Sequence, residues 1–225
     1  MDFSGVRAFI FDLDYTLIDS SEGIVHCFNR ARKRAGEPEV EPEQLKARIG
    51  LPIEDGFRMF GSKDPAAMRE LFRRIAREGE MARRSFFLPG ALETVAWLHE
   101  RKYRLAVAST KSRPEIERIL EHLGADGYFE TVAGSDEVEK PKPAPDSLLL
   151  VMERMELEPE QAVYAGDHVV DVRAARAAGL KVIAVKGGPC DPAELSREQP
   201  DLLLDDIGAI KNLPLTTARQ SGRPR

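Results

Sequence analysis

Val6-Arg7-Ala8-Phe9-Ile10-Phe11-Asp12-Leu13-Asp14-Tyr15-Thr16 is the stretch whose reading decides the fold. Its first six residues are apolar apart from Arg7 and rich in β-formers, the pattern of a short buried strand. Asp12 and Asp14 follow at its C-terminal end. Two carboxylates two residues apart are costly to bury there unless a cation or a proton compensates them. The C-terminal ends of parallel strands are also where open α/β sheets bind ligands. The stretch therefore reads as a first strand that delivers paired carboxylates to a functional site.

Working outward, the chain after residue 88 alternates between two periodicities. Helical patterns over 91–100, 113–123, 145–155 and 169–178 separate short apolar runs at 103–109 (YRLAVAS), 131–133, 161–165 (QAVYA) and 181–185 (KVIAV), with an edge strand at 202–204. Strands and helices alternating at this spacing predict βαβ crossovers and a parallel sheet covered on both faces. The expected fold is α/β, a Rossmann-like doubly wound parallel sheet.

Residues 20–85 break the alternation right after the first strand and read as helical throughout. Ile24, Val25, Phe28, Ala31 and Ala35 recur at helical spacing, and Asp64-Pro65 gives an N-cap followed by proline at the first helical position. The expected division is a sheet core from 1–17 and 88–213, a helical insertion over 18–87, and a polar, basic tail over 214–225. The connections near 18–21 and 86–90 are then the candidate hinges.

Composition narrows the function classes. The 225 residues are 42% hydrophobic with a formal charge of −5, which gives no general attraction to nucleic acid or an anionic membrane. Cys27 and Cys190 are too few and too far apart for a disulfide framework or a thiolate metal site. No apolar run spans a bilayer and no signal-peptide layout opens the chain. A cytoplasmic protein, monomeric or homodimeric, is expected.

Four polar clusters fall just after strands or at loop ends: Asp12 with Asp14, Ser109 with Thr110, Lys142 within Lys140-Pro141-Lys142-Pro143-Ala144-Pro145, and Gly166-Asp167-His168-Val169-Val170-Asp171. In a parallel sheet all strand C-termini open on one edge, so groups distant in sequence converge there. Four carboxylates in one site need a cation, and an all-oxygen set favours Mg²⁺ over Zn²⁺. Lysine, hydroxyl donors and Mg²⁺ together suit a transferring phosphoryl group, and a carboxylate beside them can attack phosphorus.

With D-x-D-x-T (Asp12, Asp14, Thr16), a strand-ending Ser109, Lys142 in K-P-x-P and G-D-x-x-x-D (Asp167, Asp171), the chain resembles the haloacid dehalogenase (HAD) superfamily over residues 6–190. The helix carrying Ala174, Ala175, Ala178 and Gly179 adds to the likeness, and the insertion resembles the helical cap of its phosphoglycolate phosphatase-like branch. The resemblance implies that Asp12 is the nucleophile, Asp14 the acid and base, Ser109 a phosphate ligand and Lys142 the neutralising cation. It implies Mg²⁺ held by Asp12, the backbone carbonyl of Asp14 and Asp167, with Asp171 holding metal-bound water or orienting Lys142. Thr16, Thr110, Arg48 and Gly50 join Ser109 and Lys142 as expected substrate contacts. Tyr15 departs from the family, which often has glycine there.

The expectation is a Mg²⁺-dependent phosphatase acting on a small phosphorylated metabolite, phosphoglycolate-like or pyrophosphate, through an aspartyl-phosphate. The alternatives are a phosphomutase of the β-phosphoglucomutase type and a non-catalytic binding protein on the same fold. His168 is read as a loop residue facing solvent, and the arginine-rich stretch over 69–84 as a solvated face, with Arg83 or Arg84 near enough to the hinge to meet an anion.

Overall fold

β1 (Ala8–Phe11) is the hinge of the architecture, a strand buried on both sides and paired in parallel with two neighbours. In the computed structural model, which describes residues 3–49, 52–215 and 218, the chain then runs through β2 (Ile18–Asp19), α1 (Ser21–Arg34), α2 (Pro42–Lys46), α3 (Ile53–Met59), α4 (Pro65–Ile75) and β3 (Phe86–Phe87). It returns through α5 (Ala91–Glu100), β4 (Arg104–Ala108), α6 (Arg113–His122), β5 (Thr131–Ala133), α7 (Asp146–Arg154) and β6 (Ala162–Gly166). It closes with α8 (Val169–Ala177), β7 (Lys181–Val185), α9 (Pro192–Arg197) and β8 (Leu202–Leu204).

Six strands form one parallel sheet in the order β5-β4-β1-β6-β7-β8. This is the doubly wound α/β fold that the alternation predicts. The side chains of β1 divide between two cores by the period-2 rule. Phe9 and Phe11 join Leu105, Val107, Val163 and Ile183 on the face that also receives α5 and α6. Ala8 and Ile10 join Ala106, Tyr164 and Val182 against α7 and α8. Strand order reverses at β1, with β4 on one side and β6 on the other, so the crevice beyond Phe11 is the switch point where such sheets take ligands. Asp12 is the first residue in that crevice.

The 20–85 stretch is less continuous than its helical pattern predicts. Four helices are separated by turns that hold Gly36 (φ +71°) and Gly61 (φ +76°), and by the approach to Pro42 and Pro52. The Asp64 carboxylate accepts the Ala67 N–H at 3.0 Å and caps α4. Phe28 of α1 stacks on Phe57 of α3 with centroids 3.9 Å apart, and Phe72 of α4 meets Phe57 edge-on. The residues after α4 rest on α6 of the sheet region.

Two features escape the sequence pattern. β2 and β3 pair antiparallel, Ile18 opposite Phe87 and Asp19 opposite Phe86, so the two chain connections to the insertion form one ribbon. α9 is the other; its N-cap Asp191 and Pro192 sit in a stretch without strong apolar periodicity. Of the expected tail, residues 216, 217 and 219–225 lie outside the described residues. Among the described residues no helix is long and apolar enough to cross a membrane.

Candidate active site

The site is built on strand ends. Asp12 leaves β1 with its N–H donated to the Ala165 carbonyl of β6, continuing the ladder one residue past the strand. Ser109 does the same from β4 to the Ala133 carbonyl. Asp167 follows β6 directly, and Asp171 sits one turn into α8. Gly166 makes that turn possible, because a Cβ there would come within 2.6 Å of the Asp171 side chain.

Lys142 reaches these strand ends from the loop before α7. Its side chain is 3% exposed, and Nζ donates to Asp12 Oδ1 at 2.6 Å and Asp171 Oδ1 at 2.7 Å. Tyr164 Oη at 2.8 Å and the Ala108 carbonyl at 3.3 Å complete its surroundings. Burial alone would lower the lysine's pKa, but Asp12 and Asp171 outweigh it and raise the value, so Lys142 stays charged. Lys140, its neighbour in the same proline-rich segment, is exposed and donates its backbone N–H to Asp146.

Asp12, Asp167 and Asp171 are all buried, and one carboxylate oxygen from each lies within 4.8 Å of the other two. One lysine does not balance three carboxylates. Burial pushes the Asp12 carboxyl up to about 7; Lys142 opposes that shift, while Asp171 and Asp14 add to it. Asp167 is raised well above the usual carboxylate range by burial and then by Asp171 and Asp12. A buried, all-oxygen cluster with surplus negative charge is the donor set of a hard divalent cation. Gly188 keeps the space beside it open, since a Cβ there would fall 1.8 Å from Asp167 Oδ2. The residues present therefore fit a divalent metal.

The other expected site residues divide sharply. Thr16 is buried and donates its hydroxyl to Asp167 Oδ1 at 3.2 Å, which ties the first strand end to the third. Ser109 is buried at the site, its Oγ accepting the Lys111 N–H at 3.3 Å. Thr110, next to it, is exposed. Arg48 is exposed on the turn after α2, and Gly50 lies outside the described residues. His168 does not simply face solvent: half-buried, it caps α8 through Nδ1, which accepts the Val170 N–H, while its own N–H donates to Asp171 Oδ2 at 3.0 Å. Arg83 and Arg84 are both engaged by Glu80.

Asp14 stands apart from the carboxylate cluster. Ser20 donates its hydroxyl to Oδ1, and Lys111 Nζ lies 3.0 Å from Oδ2. Tyr15, between the two aspartates, holds φ at +55°, the left-handed conformation in which glycine carries no steric penalty. Gly187 and Gly188 face it; a Cβ on Gly187 would meet the Tyr15 carbonyl at 2.7 Å.

Lys111, Tyr164, Ser20 and Gly188 are residues that the motif reading passes over. Signals for two were present. Lys111 lies two residues beyond the strand-ending Ser109, and Tyr164 shares its face of β6 with the small Ala162 and Gly166. Ser20 and Gly188 carry no comparable mark.

The family model of haloacid dehalogenase-like hydrolases matches residues 9–185. The chain belongs to that family, on its phosphoglycolate phosphatase-like branch. It is 31% identical to a probable phosphatase, IndB, of Dickeya dadantii over 96% of each chain. It is 30% identical to the phosphoglycolate phosphatase of Escherichia coli O157:H7 over 92% of each chain. Its fold matches a haloacid dehalogenase-like hydrolase from Bacteroides fragilis with a TM-score of 0.82 at 30% identity, covering 91% of this chain and 99% of the other.

Proposed function

We propose that this hydrolase is a Mg²⁺-dependent phosphatase that acts on a small phosphorylated metabolite, with phosphoglycolate and pyrophosphate the first compounds to test. The observation that carries the reading is Asp12, held at the switch point of the sheet by Lys142 and surrounded by further carboxylates. Asp12, Asp167 and the backbone carbonyl of Asp14 would hold the metal, with Asp171 behind them. A bound Mg²⁺ supplies positive charge that screens the phosphoryl oxygens from these carboxylates.

The chain's own residues supply the steps. A carboxylate oxygen of Asp12 attacks phosphorus, the bond from phosphorus to the ester oxygen breaks, and Asp14 gives its proton to the departing oxygen. Asp14 then takes a proton from water, whose oxygen attacks phosphorus, and the bond to Asp12 breaks to release phosphate. Lys142 neutralises Asp12 in the resting site and charge on the phosphoryl oxygens during transfer, while the Ser109 hydroxyl donates to one of those oxygens. Asp171 keeps Lys142 in place; the 2.7 Å contact supports that role.

Residues 18–87 would serve as a cap over this crevice, with the β2–β3 ribbon as its hinge. Arg48 and Gly50 are proposed to approach substrate only in a closed form. Two free cysteines, Cys27 and Cys190, go with a reducing compartment, the cytoplasm.

A panel of phosphorylated metabolites assayed for released phosphate with Mg²⁺, and again with excess EDTA, tests the reading. Phosphate release that requires Mg²⁺ is the expected result. Activity undiminished by EDTA removes the metal, transfer between sugar positions without free phosphate points to a mutase, and silence on every compound removes the enzyme.

A further inference from the structure

Tyr164 carries a phenol in the middle of the site for which the proposed chemistry has no use. It lies on β6, between β1 and β7, and is fully buried. Its neighbours on that side of the sheet include Ala8, Ala106 and Ala108, small enough to let the ring reach past β1 toward the end of β4. Oη arrives among three groups: Lys142 Nζ at 2.8 Å, Asp171 Oδ1 at 3.0 Å and the Ala108 carbonyl at 3.3 Å. A buried phenol needs one partner for its hydroxyl. This one has three, and two of them are charged.

Counting donors assigns the bonds. An ammonium has three hydrogens. The three shortest contacts of Lys142 Nζ are Asp12 Oδ1 at 2.6 Å, Asp171 Oδ1 at 2.7 Å and Tyr164 Oη at 2.8 Å, with the Ala108 carbonyl further off at 3.3 Å. Tyr164 Oη therefore accepts from the lysine, and its own hydrogen is left for Asp171 or Ala108. Lys142, Tyr164 and Asp171 close a triangle beside Asp12. Without the hydroxyl the ammonium is drawn between two carboxylates, and its distance from Asp12 is no longer set by a third point.

We propose that Tyr164 is a positioning residue that keeps the Lys142 ammonium on Asp12 while the aspartyl-phosphate is hydrolysed. This rests on the phosphatase reading above and deepens it by assigning the residue to one half of the reaction. In the first half a carboxylate oxygen of Asp12 gives an electron pair to phosphorus and loses its charge. A cation held on Asp12 opposes that attack even as it helps the phosphoryl oxygens. In the second half the oxygen of water bonds to phosphorus and its proton passes to Asp14. The bond from phosphorus to Asp12 then breaks, and its electron pair returns to the carboxylate. Negative charge reappears beside Lys142, and a cation already in place favours that departure. One that has leaned toward Asp171 does not.

The test follows ³²P-labelled p-nitrophenyl phosphate with Mg²⁺, an ester whose good leaving group makes the first half fast. Tyr164→Phe keeps the buried ring and its place near Nζ, 5.5 Å from the ring centroid, and removes only the hydroxyl. In this variant kcat should fall by about 10- to 100-fold, the range typical of a lost partner behind a functional ligand. The ratio kcat/KM covers the reaction only up to departure of p-nitrophenol, so it should change by less than about threefold while KM falls with kcat. Acid quenching in the steady state should trap more labelled protein than with wild type. Tyr164→Met, a flexible filler without a hydroxyl, should behave alike and covers a failure of the phenylalanine variant to fold. Equal losses in kcat and kcat/KM, with no added label on the protein, would overturn the proposal and make Tyr164 a support for the site as a whole. An unchanged kcat overturns it as well, while leaving the phosphatase standing. A wild type that releases no phosphate from this ester or from phosphoglycolate with Mg²⁺ sinks the phosphatase reading itself, and this assignment with it.

Discussion

Lys142 and Arg58 each pair with two carboxylates, one at the ends of the sheet strands and one on the helical insertion. Lys142 meets Asp12 and Asp171 with its side chain 3% exposed; Arg58 meets Glu54 and Asp55 with its side chain 59% exposed. On the surface, water screens each ion, so breaking such a pair costs about 0.2–1 kcal/mol. In the crevice water is excluded, and removing one partner strands the other at a cost of about 3–5 kcal/mol. The same residue types thus make a reactive centre in one region and a solvated surface in the other. Burial, rather than the count of pairs, is what separates them.

The most severe way to break the contrast is at Asp12. Asp12→Asn keeps the shape of the side chain but removes the attacking oxygen's charge, so kcat should fall by about 10³-fold or more. Thermal stability should fall only slightly, because Asp171 still pairs with Lys142 at 2.7 Å and burial already opposes the ionised Asp12 carboxylate, pushing its pKa up to about 7. A stable variant with a near wild-type rate would show that Asp12 is not the nucleophile. An inactive but strongly destabilised one would show that the carboxylate is there for the fold.

Gly188→Ala is the next step down. The added methyl would fall 1.8 Å from Asp167 Oδ2, so the carboxylate or the loop must move. The Mg²⁺ concentration for half-maximal activity should rise by about 10- to 100-fold, the range typical of displaced support around a metal ligand. Unchanged Mg²⁺ activation would mean that Asp167 is not among the metal's ligands.

This glycine also marks where the sequence stops being readable. The sheet, its parallel order and the convergence of Asp12, Lys142, Asp167 and Asp171 follow from local patterns: apolar runs of strand length, and polar groups placed where those runs end. Gly188 leaves no such trace, because its importance is a missing Cβ opposite a residue twenty-one positions away. Lys111, two residues past the strand-ending Ser109, shows its place only once Asp14 and Met81 are seen around it. Within 20–85 the periodicity identified helices, with a start marked at Asp64-Pro65, but not the bounds of the short α2 and α3, since glycine and proline turns shorter than a helical repeat leave the apolar spacing nearly intact. The β2–β3 ribbon is two residues on each side, too short for alternation to register.

A smaller effect sharpens the electrostatic half of the comparison. Asp12 and Asp167 are both raised in the folded protein, so the metal-free fold binds more protons than the unfolded chain between the ordinary carboxylate value and about 7. In that window metal-free stability should fall as pH rises. Mg²⁺ needs the ionised carboxylates and competes with those protons. Its stabilising effect on the melting temperature should therefore be small at pH 5 and grow by several degrees toward pH 8. An equal Mg²⁺ shift at both pH values would place the ion somewhere other than this cluster.

The smallest expected effect lies on the insertion. Arg58→Ala removes two ion pairs, yet Glu54 keeps Arg69, whose Nη1 lies 2.7 Å from Oε2, and Asp55 is half exposed to water. No carboxylate is left buried and alone. The loss should stay within about 0.5 kcal/mol, a shift of no more than about 2 °C for a chain of this length. It should vanish in 1 M NaCl, where the screening length shrinks to about 3 Å. Lys142→Met, measured beside it, should lose several times more stability above pH 7 and keep that loss in salt, because its partners are shielded from ions as well as from water. Comparable losses for the two variants would mean that the insertion's surface charges hold α3 against α4 as firmly as the crevice holds Lys142, and the distinction between the two regions would have to rest on chemistry alone.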